Sequence, residues 1–391
     1  MRILFSATPA HGHLLPLMPL IRAAAAAGHD VAVLTSGAVS GVVAEELPGV
    51  PVLPAGPMPL EFSMAAAERT GMDVFRPTPE VIGEIFAGAR LDLTIDEALT
   101  AARDWAPGLV IAENFDTVGP MVAAVLGIGW HQFGIGPALP GPVAVALADV
   151  AAPRYAARDL IPAAARSYLD SCPPLLQDPD WTPAVPRRPV RPRPHEREGD
   201  AWSAPAFPEP GRQRVLVTLG TIFSDARLLR DVVGAVSSAG VNVLATRGLA
   251  LTGAADGDEA EPGQSPERDG TVHYVPFVPI ARLLDGMDAV VGVGGSGTVL
   301  AALARGIPMV LWPQGAEQPV NAARAAAAGA ALVVAALEEI PAALASVLTE
   351  ERYRIGAQRA AAQIADLPAP EQVINDIVAE AQEQALKEAS P

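Results

Sequence analysis

The sequence predicts an α/β protein of two doubly wound parallel-sheet domains facing a central cleft, and three observations carry that prediction. A strand–turn–helix pattern opens the chain and recurs, a Pro- and Arg-rich stretch interrupts it near the middle, and it then restarts with glycine-rich turns. Length agrees, since 391 residues, half of them apolar, can bury two cores of ordinary size.

The first domain, residues 1–185, opens with an apolar strand at 3–7, a loop at 8–13, an alanine-rich helix reaching Ala27 and, after Gly28, a strand at 31–34. A second such unit starts at 109–111 behind Pro107-Gly108 and leads into a helical run at 120–126. From 186 to 211 the composition turns to Pro, Arg and Glu, as in Pro186-Arg187-Arg188-Pro189-Val190-Arg191-Pro192. Such a stretch continues neither a helix nor a central strand and reads as an interdomain linker. The second domain, 212–370, begins with a strand at 214–219 ending in Gly220-Thr221, followed by a helix from Asp225 and a strand at 241–245. An acidic stretch at 252–270 reads as a solvated loop with no chemistry. Strands at 271–275, 289–291 and 309–312 complete the pattern, the last two running into glycine- and proline-bearing turns. Residues 371–391 place Val373, Ile374, Ile377, Val378 and Ala381 on one side, a helix expected to cross back to the first domain. The surroundings of Met58 to Val74 read as variable loops.

Composition narrows the function. No window reaches the roughly 18 uncharged apolar residues of a membrane span, and the opening residues lack the small-residue cleavage site of a secretory signal. A cytoplasmic protein with no membrane partner is expected. With 27 Lys plus Arg against 44 Asp plus Glu, the net charge of −17 repels phosphate backbones, so no nucleic acid is expected as partner. A phosphate-bearing ligand therefore has to be held by local geometry. The single cysteine, Cys172, forms neither an intramolecular disulfide nor a thiolate cluster, and no metal site is expected.

In doubly wound sheets, ligands bind beyond the carboxyl ends of the strands. One such turn is Gly292-Val293-Gly294-Gly295-Ser296-Gly297-Thr298, where small residues let backbone N–H groups and a helix N-terminus approach a pyrophosphate. The Ser296 and Thr298 hydroxyls add donors there, or Ser296 simply caps the following helix. A second turn, Thr8-Pro9-Ala10-His11-Gly12-His13, sets imidazoles at the tip of the first strand, suited to a general base. Such a base needs a carboxylate to orient it, and Glu113 can supply one, with Asp116 as competitor. The alternative is a helix-capping His13 and a solvated Glu113. In the third turn, Glu317 and Gln318 either hold the hydroxyls of a sugar or open a helix.

Taken together and in order, the chain carries His11-Gly12-His13-Leu14-Leu15-Pro16, Glu113, Cys172-Pro173-Pro174-Leu175-Leu176, Thr218-Leu219-Gly220-Thr221, Phe277-Val278-Pro279, Gly294-Gly295-Ser296-Gly297-Thr298, and Pro313-Gln314 with Glu317-Gln318. Over nearly its full length it resembles the inverting nucleotide-sugar glycosyltransferases of the GT-B fold, two Rossmann-like domains, of the type that decorates bacterial macrolides, enediynes and aromatic polyketides. The resemblance implies His13 as the base that deprotonates a hydroxyl of a small-molecule aglycone, with Glu113 as its acidic partner. It implies further that Phe277 and the backbone of Val278 hold the nucleobase, Gly220, Thr221 and residues 294–298 the pyrophosphate, and Glu317 with Gln318 the sugar. The implied co-substrate is a TDP-sugar, with a UDP-sugar as the other candidate, and neither cofactor nor metal is needed. A homodimer and an auxiliary activator protein stay open. The family usually reads His-His-Gly-Gly where this chain reads Gly292-Val293-Gly294-Gly295, so the imidazole expected on the pyrophosphate is replaced by Val293. Glu317 stands where Asp is usual and Ile280 where Gln often follows. The Val293 replacement motivates an alternative, a catalytically silent homologue that binds or activates another glycosyltransferase.

Overall fold

The strand that opens the chain has no polar face: Ile3, Leu4, Phe5 and Ser6 are all buried, as in a parallel sheet covered by helices on both sides. The computed structural model describes residues 1–76, 78–197, 199, 202–220, 226–248 and 271–388; Thr221 and the acidic stretch 252–270 lie outside the described residues. The first sheet contains β1 (Arg2–Ser6), β2 (Asp30–Thr35), β3 (Val52–Pro54), β4 (Leu109–Glu113), β5 (Trp130–Gly134), β6 (Tyr168–Asp170) and β7 (Arg187–Pro189). All pairings are parallel and the order is β3-β2-β1-β4-β5-β6-β7. The second contains β8 (Arg214–Thr218), β9 (Asn242–Thr246), β10 (Val272–Val275), β11 (Ala289–Gly292), β12 (Met309–Leu311) and β13 (Ala331–Val333), parallel in the order β10-β9-β8-β11-β12-β13. Each sheet grows outward from its first strand and then returns to that strand's other side. The reversal leaves a crevice between β1 and β4 in one sheet and between β8 and β11 in the other, where such folds bind ligands.

The chain divides into two compact units: Met1–Cys172, Asp178–Arg191 and Leu367–Pro391 in the first, Pro173–Gln177 and Pro192–Asp366 in the second. In the first, Ile3, Phe5, Ile111, Phe133 and Leu169 form one core face with the helix Met18–Ala26 and with Val373, Ile374, Ile377 and Val378 of the helix Pro370–Glu388. The opposite face packs Leu4, Val110 and Ala112 against Leu91 and Ile95 of the helix Arg90–Trp105 and Met121 and Val122 of the helix Val118–Leu126. Among the described residues, no helix is long and apolar enough to cross a membrane.

Three segments differ from the sequence reading. Residues 8–13, expected as loop, already turn helical at His11–Leu14, continue as a 3₁₀ turn Leu15–Leu17 and pass into the helix Met18–Ala26. Pro16 and Pro19 both fall at the start of their elements, where a missing N–H is no loss. The Pro- and Arg-rich stretch begins inside the first sheet, as β7. An edge position tolerates Pro189, and the Arg187 guanidinium donates to the buried Asp170 carboxylate at 2.6 Å. Around Met58 to Val74 the chain forms the helix Pro59–Thr70, opened by Glu61, which accepts from the Met58 N–H at 3.2 Å, and closed by Gly71 at φ 70°.

Within β5, His131 is 1 % exposed, its Nδ1 lies 2.8 Å from Ser167 Oγ and its Nε2 is buried without a partner. Burial, helped by the charges of Arg166 and Arg188, pushes its pKa down from 6.5 to about 3. The native ring stays neutral where the unfolded one takes a proton, so its contribution to stability is complete above pH 6.5 and is lost as pH falls toward 3. In urea unfolding followed across that interval, His131→Gln is expected to abolish roughly 2–4 kcal/mol of the acid-induced loss. An unchanged acid slope would place the sensitivity in other groups.

Candidate functional site

In the first unit, the crevice between β1 and β4 brings together the two groups singled out as base and partner. His13 sits in the helical turn after β1, and Glu113 is the last residue of β4. His13 Nδ1 lies 3.0 Å from Glu113 Oε1. The imidazole is 19 % exposed while its Nδ1 is buried, so the ring turns other atoms outward. Glu113 is no solvated loop charge. Its side chain is fully buried, Oε1 accepts from the Thr8 hydroxyl at 2.8 Å and the Thr8 N–H at 3.2 Å, and Oε2 accepts from the Phe115 N–H at 2.7 Å. Burial pushes this carboxyl up, but the adjacent His13, the Phe115 N–H and the Arg90 charge outweigh it and hold the pKa at about 2. The result is a fixed carboxylate in ion-pair contact with His13 Nδ1, at an angle that makes no hydrogen bond.

Apolar neighbours fix the ring from the side. Phe115 meets it edge-on at 5.5 Å between centroids, and Phe86 lies at 6.1 Å. Phe86 comes from a π-helical stretch, Glu84–Ala89, which inserts between the helical segments Pro79–Gly83 and Arg90–Trp105, and its carbonyl oxygen accepts from the Thr117 hydroxyl at 2.8 Å. Such π-turns recur at functional sites, where they re-aim a side chain. Asp116, the competing carboxylate, is committed elsewhere. It pairs with the buried Arg90 at 2.6 Å and accepts from the N–H groups of Val118 and Gly119 at 3.2 and 3.1 Å, at the start of the helix Val118–Leu126.

In the second unit, the crevice between β8 and β11 carries the glycine-rich turn. Gly292 closes β11, and a β-carbon there would stand 2.7 Å from the Thr218 carbonyl oxygen of β8. Gly294 adopts φ 92°, a conformation side chains disfavour, and Gly220 sits at φ 74° two residues beyond β8. The helix Ser296–Ala304 follows, and its N-cap is Gly295, so Ser296 is not the cap and no side chain caps the first-turn N–H groups. Together with Gly297 and Thr298 this end of the helix fits an anion. Phe277 is half-buried, with the His195 ring at 6.2 Å and 25° to it, and Val278 is buried.

The sequence and fold were compared with known proteins. The family model for the erythromycin biosynthesis protein CIII-like C-terminal domain matches residues 260–380. Elloramycin glycosyltransferase ElmGT of Streptomyces olivaceus is 31% identical over 95% of this chain and 96% of its own. The chain belongs to the bacterial antibiotic glycosyltransferases. L-demethylnoviosyl transferase of Streptomyces niveus is likewise 31% identical, over 97% of this chain and 98% of its own. The crystal structure of the Streptomyces sp. SF2575 glycosyltransferase SsfS6 complexed with thymidine diphosphate matches with a TM-score of 0.78 at 28% identity, covering 96% of this chain and 99% of that one. The two parallel sheets are those of the GT-B fold.

Two of the residues expected to bind the donor of this glycosyltransferase are buried. Val293, which stands where the family pattern has an imidazole, is 3 % exposed and packs in the core with Val291, Val310 and Leu344. A histidine there would be driven into apolar surroundings. Gln318 is 4 % exposed and its Oε1 accepts from the N–H groups of Gln314 and Gly315 at 2.9 and 3.2 Å, so that oxygen holds its own loop together. Glu317 is exposed at the N-cap of the helix Gln318–Ala327, with no capping hydrogen bond. Sequence reasoning missed Thr8, Phe86, Phe115, His195 and Asn321. For Asn321 a signal existed: it lies three residues beyond Gln318, on the same helix face.

Proposed function

We propose that the glycosyltransferase moves a sugar from a TDP-sugar to a hydroxyl of a polyketide-like aglycone in one inverting step, without a metal. The first unit takes the acceptor and the second the donor. The observation that carries this reading is the 3.0 Å approach of His13 Nδ1 to a buried Glu113 whose carboxyl is held below the usual carboxylate range. With Nδ1 engaged, Nε2 receives the proton of the acceptor hydroxyl, and the Glu113 charge stabilises the imidazolium that forms. The acceptor oxygen bonds to the anomeric carbon as the bond to the diphosphate breaks, which inverts that carbon. Charge develops on the leaving diphosphate, where the first-turn amides of the helix Ser296–Ala304 meet it. The relatives named above support the donor and acceptor classes, ElmGT by its name and SsfS6 by its bound thymidine diphosphate. The second reading, a silent homologue that binds or activates another glycosyltransferase, keeps its motive in Val293, which brings no imidazole to this turn, and the close approach of His13 to Glu113 favours transfer over it.

The test is calorimetric titration with thymidine diphosphate and uridine diphosphate, followed by transfer from a TDP-sugar to a panel of aromatic polyketide acceptors in the presence of EDTA. Tighter binding of thymidine diphosphate and a product of inverted anomeric configuration are expected. Retained configuration, an EDTA-sensitive rate or no binding of either nucleotide would overturn the proposal.

A further inference from the structure

Beneath the glycine-rich turn lies a polar side chain to which the proposed mechanism gives no part. Asn321, 2 % exposed, projects from the helix Gln318–Ala327, and its Nδ2 donates to the Gly294 carbonyl oxygen at 2.8 Å and to Ser296 Oγ at 3.0 Å. A carbonyl oxygen only accepts, so the bond to Gly294 fixes which end of the amide faces the turn. Ser296 Oγ is then an acceptor toward Asn321, and a hydroxyl has a single proton to give. That proton points away from Asn321, at a residue that begins a helix whose first N–H groups lack a side-chain cap. The same amide grips the turn at Gly294, whose φ of 92° no neighbouring helix or strand enforces through a backbone ladder. Its other end, Oδ1, is buried with no partner. An amide retained there with one end unsatisfied is placed for its donor end.

We infer that Asn321 is a positioning residue for the diphosphate of the nucleotide sugar, locking the turn at Gly294 and directing the Ser296 hydroxyl proton toward a phosphate oxygen. The inference rests on the proposed donor-binding role of residues 294–298. It separates two properties that a packing residue would change together, affinity for the diphosphate and affinity for the nucleoside.

Asn321→Ala, Asn321→Asp, Ser296→Ala and the Ser296→Ala/Asn321→Ala pair are titrated with thymidine diphosphate and, by saturation-transfer NMR, with thymidine, with melting recorded for each. Both Asn321 variants are expected to weaken thymidine diphosphate by roughly 10- to 100-fold, with thymidine binding unchanged. The double variant is expected to bind no worse than Asn321→Ala alone, because the two side chains act as one unit. Asn321→Asp keeps the shape but loses the donor, so full affinity in that variant overturns the inference. Parallel weakening of both ligands overturns it, as do additive effects of the two alanines. Should the Asn321 variants fail to fold, Ser296→Ala alone decides: reduced diphosphate affinity at unchanged melting and thymidine binding supports the inference, and unchanged diphosphate affinity sinks it. A wild-type protein that binds thymidine but not thymidine diphosphate removes the donor-binding reading itself, whereas wild-type binding that the variants retain removes only the role of Asn321.

Discussion

Replacing His13 by alanine is expected to lower the rate of sugar transfer by roughly 10²- to 10⁴-fold, the range in which a positioned general base operates. The effect should fall on kcat and leave the affinity for thymidine diphosphate alone, because the imidazole and the glycine-rich turn proposed to bind the donor belong to different units. Single-turnover product formation, followed by chromatography beside a nucleotide titration, separates the two quantities. Glu113 sharpens the expectation. Its carboxyl is held at about 2, so it remains charged across the whole working range and cannot supply the acidic limb of the rate profile. Glu113→Gln, which leaves the ring its neighbour without the charge, is expected to lower kcat with the affinity for thymidine diphosphate unchanged, because an imidazolium formed beside it loses its compensating charge. A His13→Ala enzyme that turns over like the wild type removes His13 from the chemistry.

The largest effect on stability is expected from Asp116→Ala. Its carboxylate lies 2.6 Å from Arg90, the two side chains are 0 % and 4 % exposed, and removing one partner strands a buried guanidinium. Breaking such a pair costs about 3–5 kcal/mol, and loss of the bonds to Val118 and Gly119 adds about 1 kcal/mol of helix capping. For a unit of this size that lowers Tm by about 10 °C or more, read by calorimetry as a shift of one unit's transition. Adding Arg90→Met should recover much of the loss, since no charge is then left buried. If Asp116→Ala melts like the wild type, the pair is a surface-like contact and the burial argument fails.

The sequence carried the fold where strands are apolar on both faces. β1, β4, β8 and β11 were legible because covered parallel strands admit few polar residues, and those same strands bound both crevices. Two short strands were not legible: β6 and β7 are three residues each, and β7 is Arg187-Arg188-Pro189, a composition that only an edge position accommodates. The helix Pro59–Thr70 was hidden because its buried side comes down to Phe62 and Ala66, too small a stripe for periodicity to reveal. In the site, His13 and Glu113 could be named from their places at strand tips, but the burial of Glu113 follows from packing around Thr8 and Phe115, which only three dimensions bring together. Val293 shows the converse. A family pattern assigns it to the ligand by position, while the side chain faces the core.

The packing of Val373, Ile374, Ile377 and Val378 against the helix Met18–Ala26 has a consequence for biogenesis. Synthesis delivers one wall of that core at residues 18–26 and the other only after residue 370, so this unit stays open while the chain between them is made. Until then the helix Met18–Ala26 lacks the helix that it packs against in the finished molecule. The second unit, whose strands lie between residues 214 and 333, has its whole sheet synthesised before the first can close. The nascent chain thus passes through a stage in which an open apolar surface waits on synthesis, and chaperone binding at that surface would be most useful while the second unit is being made.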